Sequence, residues 1–570
     1  MITLSGMMLG ESTGTTVEKN SVFVLKLDGS IQERNEENTP LDILLNQNGM
    51  SVMGLDDIIS SIKKAKNHPD IKGIYLEGGL MSFDSPASAQ QVRDALKDFK
   101  KSGKWVLAFA DQYTQQGYYV ASVADSVCLN PTGMIDLKGI GGKREFMTGL
   151  YEKIGVRYQA VRVGKYKSYV ESVTRKDMSS ENREQTEAYQ QGIWKHMLKN
   201  IAESRPRLTA EQLDQMVSDS ILTFAAPNDY IKGGLIDVLM YSERSKTSIN
   251  KLLGVDNDEE INQLSLNDMI TLPSEEEENG SQVAVYYAYG EIIDQATSLF
   301  ATEHNIIGKK TVKDLTKLTE DDDVKAVVLR VNSPGGSAAA SEQIWHAIKE
   351  LKKKKPVVVS MGGMAASGGY MISAGADYIF AEPTTITGSI GIFGLIPNFS
   401  ELVTDKLGVT FDGTKTNKYT DYAENLVLSK DNAQEIKFMQ TYVDRGYLNF
   451  LNIVADGRNM PREQVHEIAQ GRVWLATDAL PIKLVDKLGS LDDAVKKAAE
   501  LAKLDEYYQK NYPQAPSWYE ELLGMNENRG SILDSELREV LGEFYQPILN
   551  ARRDQQRNRL QARMNFMLNF

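Results

Sequence analysis

The chain runs to 570 residues, more than one hydrophobic core organises, so two domains are expected before any motif is read. A formal net charge of −14 excludes a nucleic-acid partner, which selects basic surfaces, while 41% hydrophobic and 25% charged residues are those of an ordinary globular protein. The single cysteine, Cys128, rules out an internal disulfide, and five scattered histidines give no metal-ligand spacing, so the chemistry is expected to run without histidine, metal or cofactor.

In chain order, Met1 to Leu9 are apolar but far short of the roughly 20 residues that span a bilayer. Residues 1–20 read as an N-terminal stub, either the end of a membrane anchor or a disordered terminus. A first domain is expected over 21–254. It opens on a strand-like run from Val22 to Leu27 stopped at Gly29, followed by a helical stretch, an apolar strand, a helix from Ser88 to Lys101 and a strand at Val106-Leu107-Ala108. Cys128, in the apolar run Val127-Cys128-Leu129, reads as a small core residue. Between Ser180 and Ser204, Tyr189, Ile193, Met197 and Ile201 recur at the spacing of a long amphipathic helix. Residues 255–280, acidic and rich in helix breakers, predict an exposed linker. A second domain over 281–505 repeats the opening: a strand from Val283 to Tyr287 stopped at Gly290, a helix from Ser341 to Lys353, a strand at Val357-Val358-Val359. Strands alternating with helices predict parallel βαβ units and an α/β fold in two tandem domains. The extension 506–570 ends in a basic amphipathic tail carrying Arg552, Arg553, Arg557, Arg559 and Arg563. Such a tail can lie on an anionic membrane, but packing on its own protein or disorder is the expected state.

The two domains read as copies of one module about 250 residues apart. Ile71-Lys72-Gly73-Ile74-Tyr75-Leu76 answers Val324-Lys325-Ala326-Val327-Val328-Leu329, and Gly233-Gly234-Leu235-Ile236-Asp237 answers Ile482-Lys483-Leu484-Val485-Asp486. Where the second copy has Ser360 to Tyr370, the first has Phe109 to Tyr119, which sets Gln116 against Ser367. With Tyr166 matched to Tyr419, Lys167 stands against Thr420. One copy keeps a serine, the other a lysine.

Ser367 follows a strand and precedes Gly368-Gly369-Tyr370, which can start a helix; a serine at such a turn has an exposed hydroxyl in the positive end of the helix dipole. Read alone, Ser-Gly-Gly is more often a packing turn. Acyl transfer also needs donors for an oxyanion, and the candidates are the Gly368 N–H and the loop Asn332-Ser333-Pro334-Gly335-Gly336, where Gly335 and Gly336 can turn their N–H groups into one concavity. The serine needs a base. With the histidines badly placed, a lysine whose pKa is lowered by burial is the remaining choice, and the repeat nominates Lys167.

The motifs Ser360-Met361-Gly362-Gly363-Met364-Ala365-Ala366-Ser367-Gly368-Gly369-Tyr370, Thr387-Gly388-Ser389-Ile390-Gly391-Ile392, Asn332-Ser333-Pro334-Gly335-Gly336 and Tyr166-Lys167-Ser168 closely resemble the signal peptide peptidase A family in its long, duplicated bacterial form. The likeness runs from about Val22 to Ala499. It implies two crotonase- or Clp-protease-like domains, a ring of chains expected to be a tetramer, and a serine endopeptidase that degrades residual signal peptides and similar apolar peptides. It implies Ser367 as nucleophile, Lys167 as general base and Ser389 as the hydroxyl that orients the amine, whereas the first copy has no hydroxyl near Leu137. It further implies a bacterial inner membrane location with the catalytic part on the extracytoplasmic side, held by an anchor this chain lacks, so that the chain itself is expected to be soluble. Two rivals stay open: a crotonase-type acyl-CoA hydratase or isomerase, and an idle membrane scaffold. Whether Lys167 meets Ser367 of its own chain or of a neighbour is also open.

Overall fold

The computed structural model describes residues 17–35, 52–219, 222–273, 279–294 and 304–514. The apolar start of the N-terminal stub and the arginine-bearing tail lie outside the described residues.

In the first copy, β1 (Ser21–Gln32), α1 (Leu55–Asn67), β2 (Ile71–Phe83), α2 (Pro86–Lys100), β3 (Trp105–Tyr113), α3 (Gln115–Ala121) and β4 (Ser126–Ile135) form βαβ units, and the four strands lie side by side in order, all parallel. Cys128 is buried on β4. Farther on come β5 (Arg157–Arg162), α4 (Ser180–Ser204), β6 (Gln263–Leu264) and α5 (Leu266–Thr271). The second copy repeats the plan with β7 (Ser281–Tyr289), α6 (Gly308–Glu320), β8 (Val324–Ser333), α7 (Ala338–Lys352), β9 (Val357–Ala366), α8 (Gly368–Ser373) and β10 (Tyr378–Ala381). Then follow β11 (Ile386–Gly388), β12 (Phe393–Asn398), α9 (Ala433–Arg458), β13 (Val473–Leu475), α10 (Leu491–Leu501) and β14 (Tyr507–Tyr512). Its sheet runs β13-β11-β9-β8-β7-β14, with β10 also beside β9, and only β13 is antiparallel to its neighbour. Helices cover both faces of such sheets, which is why β8 is buried along nearly its whole length instead of alternating.

Four local readings differ from the sequence expectation. The first strand does not stop at Gly29: that residue takes φ +95° at a register shift, and β1 continues to Gln32. The helices expected at Ser88 and Ser341 begin earlier, because the Ser85 and Ser337 hydroxyls cap them by accepting from the N–H groups of Ser88 and Ala340. Part of the expected linker belongs to the first domain: β6 pairs with β1, Leu264 and Met269 enter its core, and Ser265 with Asp268 forms the capping box of α5. At the other boundary, β14 extends the second sheet beyond residue 505 by pairing with β7.

The copies are matched by buried anchors. Tyr118 donates to the Leu235 carbonyl at 2.7 Å and Tyr370 to the Leu484 carbonyl at 2.8 Å, while the pairs Arg205–Asp237 and Arg458–Asp486 repeat with the same geometry. Counting back three residues from each tyrosine sets Gln115, not Gln116, opposite Ser367; β9 and its turn carry one residue more than the first copy.

Two features join the copies. β5 leaves the first copy's sheet and pairs antiparallel with β12 of the second. In the buried seam, Arg330 on β8 donates from Nε and Nη2 to the two carboxylate oxygens of Glu33, each at 3.0 Å, and reaches Ser360 Oγ and Gln91 Oε1. Both members are almost wholly buried, at 1% and 2% exposure. Breaking such a pair by neutralising one member leaves a buried charge, so Glu33→Gln is expected to destabilise the chain by about 3–5 kcal/mol, read as a drop in the denaturation midpoint.

Candidate active site

Lys167 and Ser367 meet within one chain. The lysine lies just after β5, which the pairing with β12 carries across to the second copy, and Arg162 at the end of β5 donates to the Lys167 carbonyl at 2.8 Å. Lys167 Nζ is 3.0 Å from Ser367 Oγ and donates to the Ser389 carbonyl at 3.0 Å and to Ser389 Oγ at 2.9 Å. Burial alone pulls its amine down from the usual lysine value to about 7, with no carboxylate among the described residues acting to hold the charge. An amine with this pKa is largely neutral just above pH 7 and has a lone pair to accept a proton.

Ser367 stands between β9 and α8 with φ 55° and ψ −118°, a conformation side chains rarely adopt, and its N–H is held by the Gly388 carbonyl at 2.9 Å. That strained turn aims the hydroxyl at the amine. Ser389, also at positive φ, is pinned by its N–H to the Arg472 carbonyl at 2.7 Å. Gly368 is the first residue of α8, where an N–H has no acceptor within the helix. The loop after β8 lies against this turn: a Cβ on Gly335 would come within 2.6 Å of the Gly368 nitrogen. Here the structure corrects the expectation for Gly335, whose N–H is taken by Ser333 Oγ at 3.1 Å. Gly336, at φ +152°, bridges to Ile292 and remains the donor candidate of the pair.

Three further residues shape the site without having been legible as candidates. Gln185 on α4, buried, donates to the Tyr166 carbonyl at 3.1 Å and Ser168 Oγ at 3.0 Å and accepts from the Val473 N–H, clamping both neighbours of Lys167 to β13. Gly471, at φ +78°, packs so closely on Lys167 that a Cβ there would sit 2.7 Å from the lysine Cβ. Arg472 holds Tyr166 Oη at 2.9 Å and Glu184 at 2.7 Å. A buried glutamine on a helix has no sequence signature, and Gly471 is 304 positions from its partner. On the open side, the Phe393 ring lies 5.9 Å from Lys167 Nζ and 5.2 Å from the exposed Tyr169 ring.

Among the described residues the first copy has no such site. Its Gln115 accepts from the N–H groups of Lys138 and Gly139, and Leu137 is buried. Phe83 pairs with Ile31 as Gly336 does with Ile292, and the Phe83 N–H is occupied by Gln116 Oε1 at 3.0 Å. Thr420 is exposed, its hydroxyl turned back to the Asn417 carbonyl.

A model of peptidase family S49 matches residues 98–256 and 349–505, once in each copy, and a model of Clp protease matches residues 281–386. Protease 4 of Haemophilus influenzae is 36% identical over 86% of this chain and 81% of its own length. Protease 4 of Salmonella typhi is 35% identical over 96% of this chain and 87% of its own. A protein of Enterococcus faecium named as a putative signal peptide peptidase SppA is 35% identical over 49% of this chain and 78% of its own length.

Proposed function

Because the chain belongs to peptidase family S49 and is a serine protease of that family, we propose that it is an endopeptidase working through a dyad of Ser367 and Lys167. The observation that carries this reading is the 3.0 Å separation of Lys167 Nζ from Ser367 Oγ, with the amine buried and its pKa near 7. Lys167 takes the serine proton, the Oγ attacks a peptide carbonyl, and the protonated amine returns the proton to the leaving nitrogen; water, activated by the same amine, then hydrolyses the ester. The N–H groups of Gly368 and Gly336 receive the oxyanion. The idle copy supports the choice of Gly336, since its counterpart N–H, that of Phe83, already holds a carbonyl-type oxygen from Gln116.

Ser389 orients the amine. Ser389→Ala is expected to lower kcat by about 10- to 100-fold with the unfolding midpoint unchanged, because one of two anchors on Nζ remains in the Ser389 carbonyl. Rates measured on one peptide under saturation read this directly.

The substrates proposed are cleaved signal peptides and similar apolar peptides at a bacterial inner membrane. The Phe393 and Tyr169 rings beside the dyad and the name borne by the Enterococcus relative support this class. Among the described residues no helix is long and apolar enough to cross a membrane.

A head-to-tail ring of chains, four by resemblance, is proposed as the working assembly. Within one chain β5 pairs with β12, yet their counterparts, residues 410–415 in the second copy and 141–146 in the first, belong to no helix or strand, are almost wholly exposed and have no ladder partner among the described residues. Joining the 410–415 edge of one chain to the 141–146 edge of the next repeats the intrachain contact and closes a ring. A serine-directed phosphonate is expected to label Ser367 once per chain in a particle with the mass of four chains. Two labels per chain would overturn the divided site; a monomeric but active particle would overturn the ring.

A further inference from the structure

The seam between the copies holds a partly open pocket, about 280 Å³ in volume, none of whose lining residues belongs to the dyad site. Five carboxyl groups face it, Asp56 from α1, Asp94 and Asp98 from α2, Glu382 just after β10 and Asp492 from α10, against only two lysines. Both lysines are already matched, Lys63 to Asp492 and Lys66 to Asp98, each at 2.6 Å. Asp56 has Arg34 at 3.2 Å, and Asp94 accepts from Gln90 Nε2 at 2.9 Å.

Glu382 has nothing comparable. It is 3% exposed, it lines the cavity, and its buried Oε1 has no hydrogen-bond partner among the described residues. Protein interiors rarely leave such a group unmatched unless something else binds there. Burial pushes its carboxyl up to about 8 despite Arg330, with Asp94, Glu33 and Asp493 adding to the rise. Burial raises Asp94 as well and takes Asp56 to about 6, so the cavity holds more carboxyl groups than it can ionise comfortably.

The arrangement also says what kind of cation fits. The carboxyls stand on four separate stretches of chain, and among the described residues no three His, Cys, Asp or Glu side chains group as metal ligands. Between them Ile59, Ile62 and Leu491 give apolar wall. A compact metal ion finds no shell here, whereas ammonium groups separated by methylenes match both the charges and the wall. We propose that the seam cavity binds a small aliphatic di- or polyamine, one ammonium on Glu382 and another towards Asp94 and Asp56. The ligand would bridge α1 and α2 of the first copy to the Glu382 loop and α10 of the second. This site does not depend on the dyad.

The test is calorimetric titration and thermal unfolding of the whole chain with 1,4-diaminobutane. Saturable binding of one diamine per chain is expected, with a midpoint rise of about 3 °C or more at saturation. Glu382→Gln, of the same shape and neutral like the protonated acid, should fold as before and bind about tenfold or more weakly. Asp94→Asn, at the far end of the ligand, should weaken binding too and serves if the first variant does not fold. Equal binding by these variants would overturn the proposal, as would an equal midpoint rise from magnesium chloride or from sodium chloride at matched ionic strength.

Discussion

Ser367→Ala and Lys167→Met are each expected to reduce peptide hydrolysis by at least about 1,000-fold, and the double variant to be no worse than either single one. The reason is the geometry of the amine: among the described residues Ser367 Oγ has one base within hydrogen-bond reach, and removing either partner ends the same proton transfer. Methionine keeps most of the apolar bulk of the lysine stem, which lies against Gly391 and Gly471, so the loss is read on a folded protein. Single-turnover rates with a fluorogenic apolar peptide, alongside denaturation midpoints, measure it. Turnover of Lys167→Met within tenfold of the parent would sink the dyad.

The second large effect is on pH. If the neutral amine of Lys167 is the base, kcat/KM rises about tenfold per unit below an apparent pKa of about 7 and levels off above it, so pH 5 should cost roughly 100-fold. The same shift acts on stability. The unfolded amine holds its proton to about pH 10.4 and the folded one only to about 7, so between these values the unfolded chain binds more protons and the residue's contribution to stability rises with pH. Below 7 that contribution is flat. Lys167→Met should therefore be most stable relative to the parent at pH 7 or below and lose that advantage towards pH 10. A rate profile centred on an unperturbed lysine, near pH 10.4, would contradict the assignment.

Much of this site is legible in the sequence because duplication leaves a comparison inside the chain. The loss of a hydroxyl in one copy and of an amine in the other nominated Ser367 and Lys167, and alternating strands and helices gave the parallel sheets. What escaped was what depends on distant packing. Gln185 looks like any helical glutamine until the helix is seen to lie against the residues flanking Lys167. Gly335 and Gly336 cannot be told apart as donors without knowing that Ser333 turns back onto the first. The mismatch of Gln116 with Ser367 came from a single extra residue in the second copy, invisible until the tyrosine anchors fixed the register. The breaker-rich linker concealed α5 because a short, well-capped helix can sit in an acidic stretch when Met269 finds a core.

The pairing of β5 with β12 has a consequence in time. A chain made from its N-terminus presents the lysine two hundred residues before the serine, and the strand that delivers the lysine has no partner until β12 has been synthesised and folded. On the proposed dyad, a nascent or truncated chain therefore carries a base without a nucleophile, and a second copy folded alone carries a nucleophile without a base. On that reading cutting begins only after both halves have been built and have found one another.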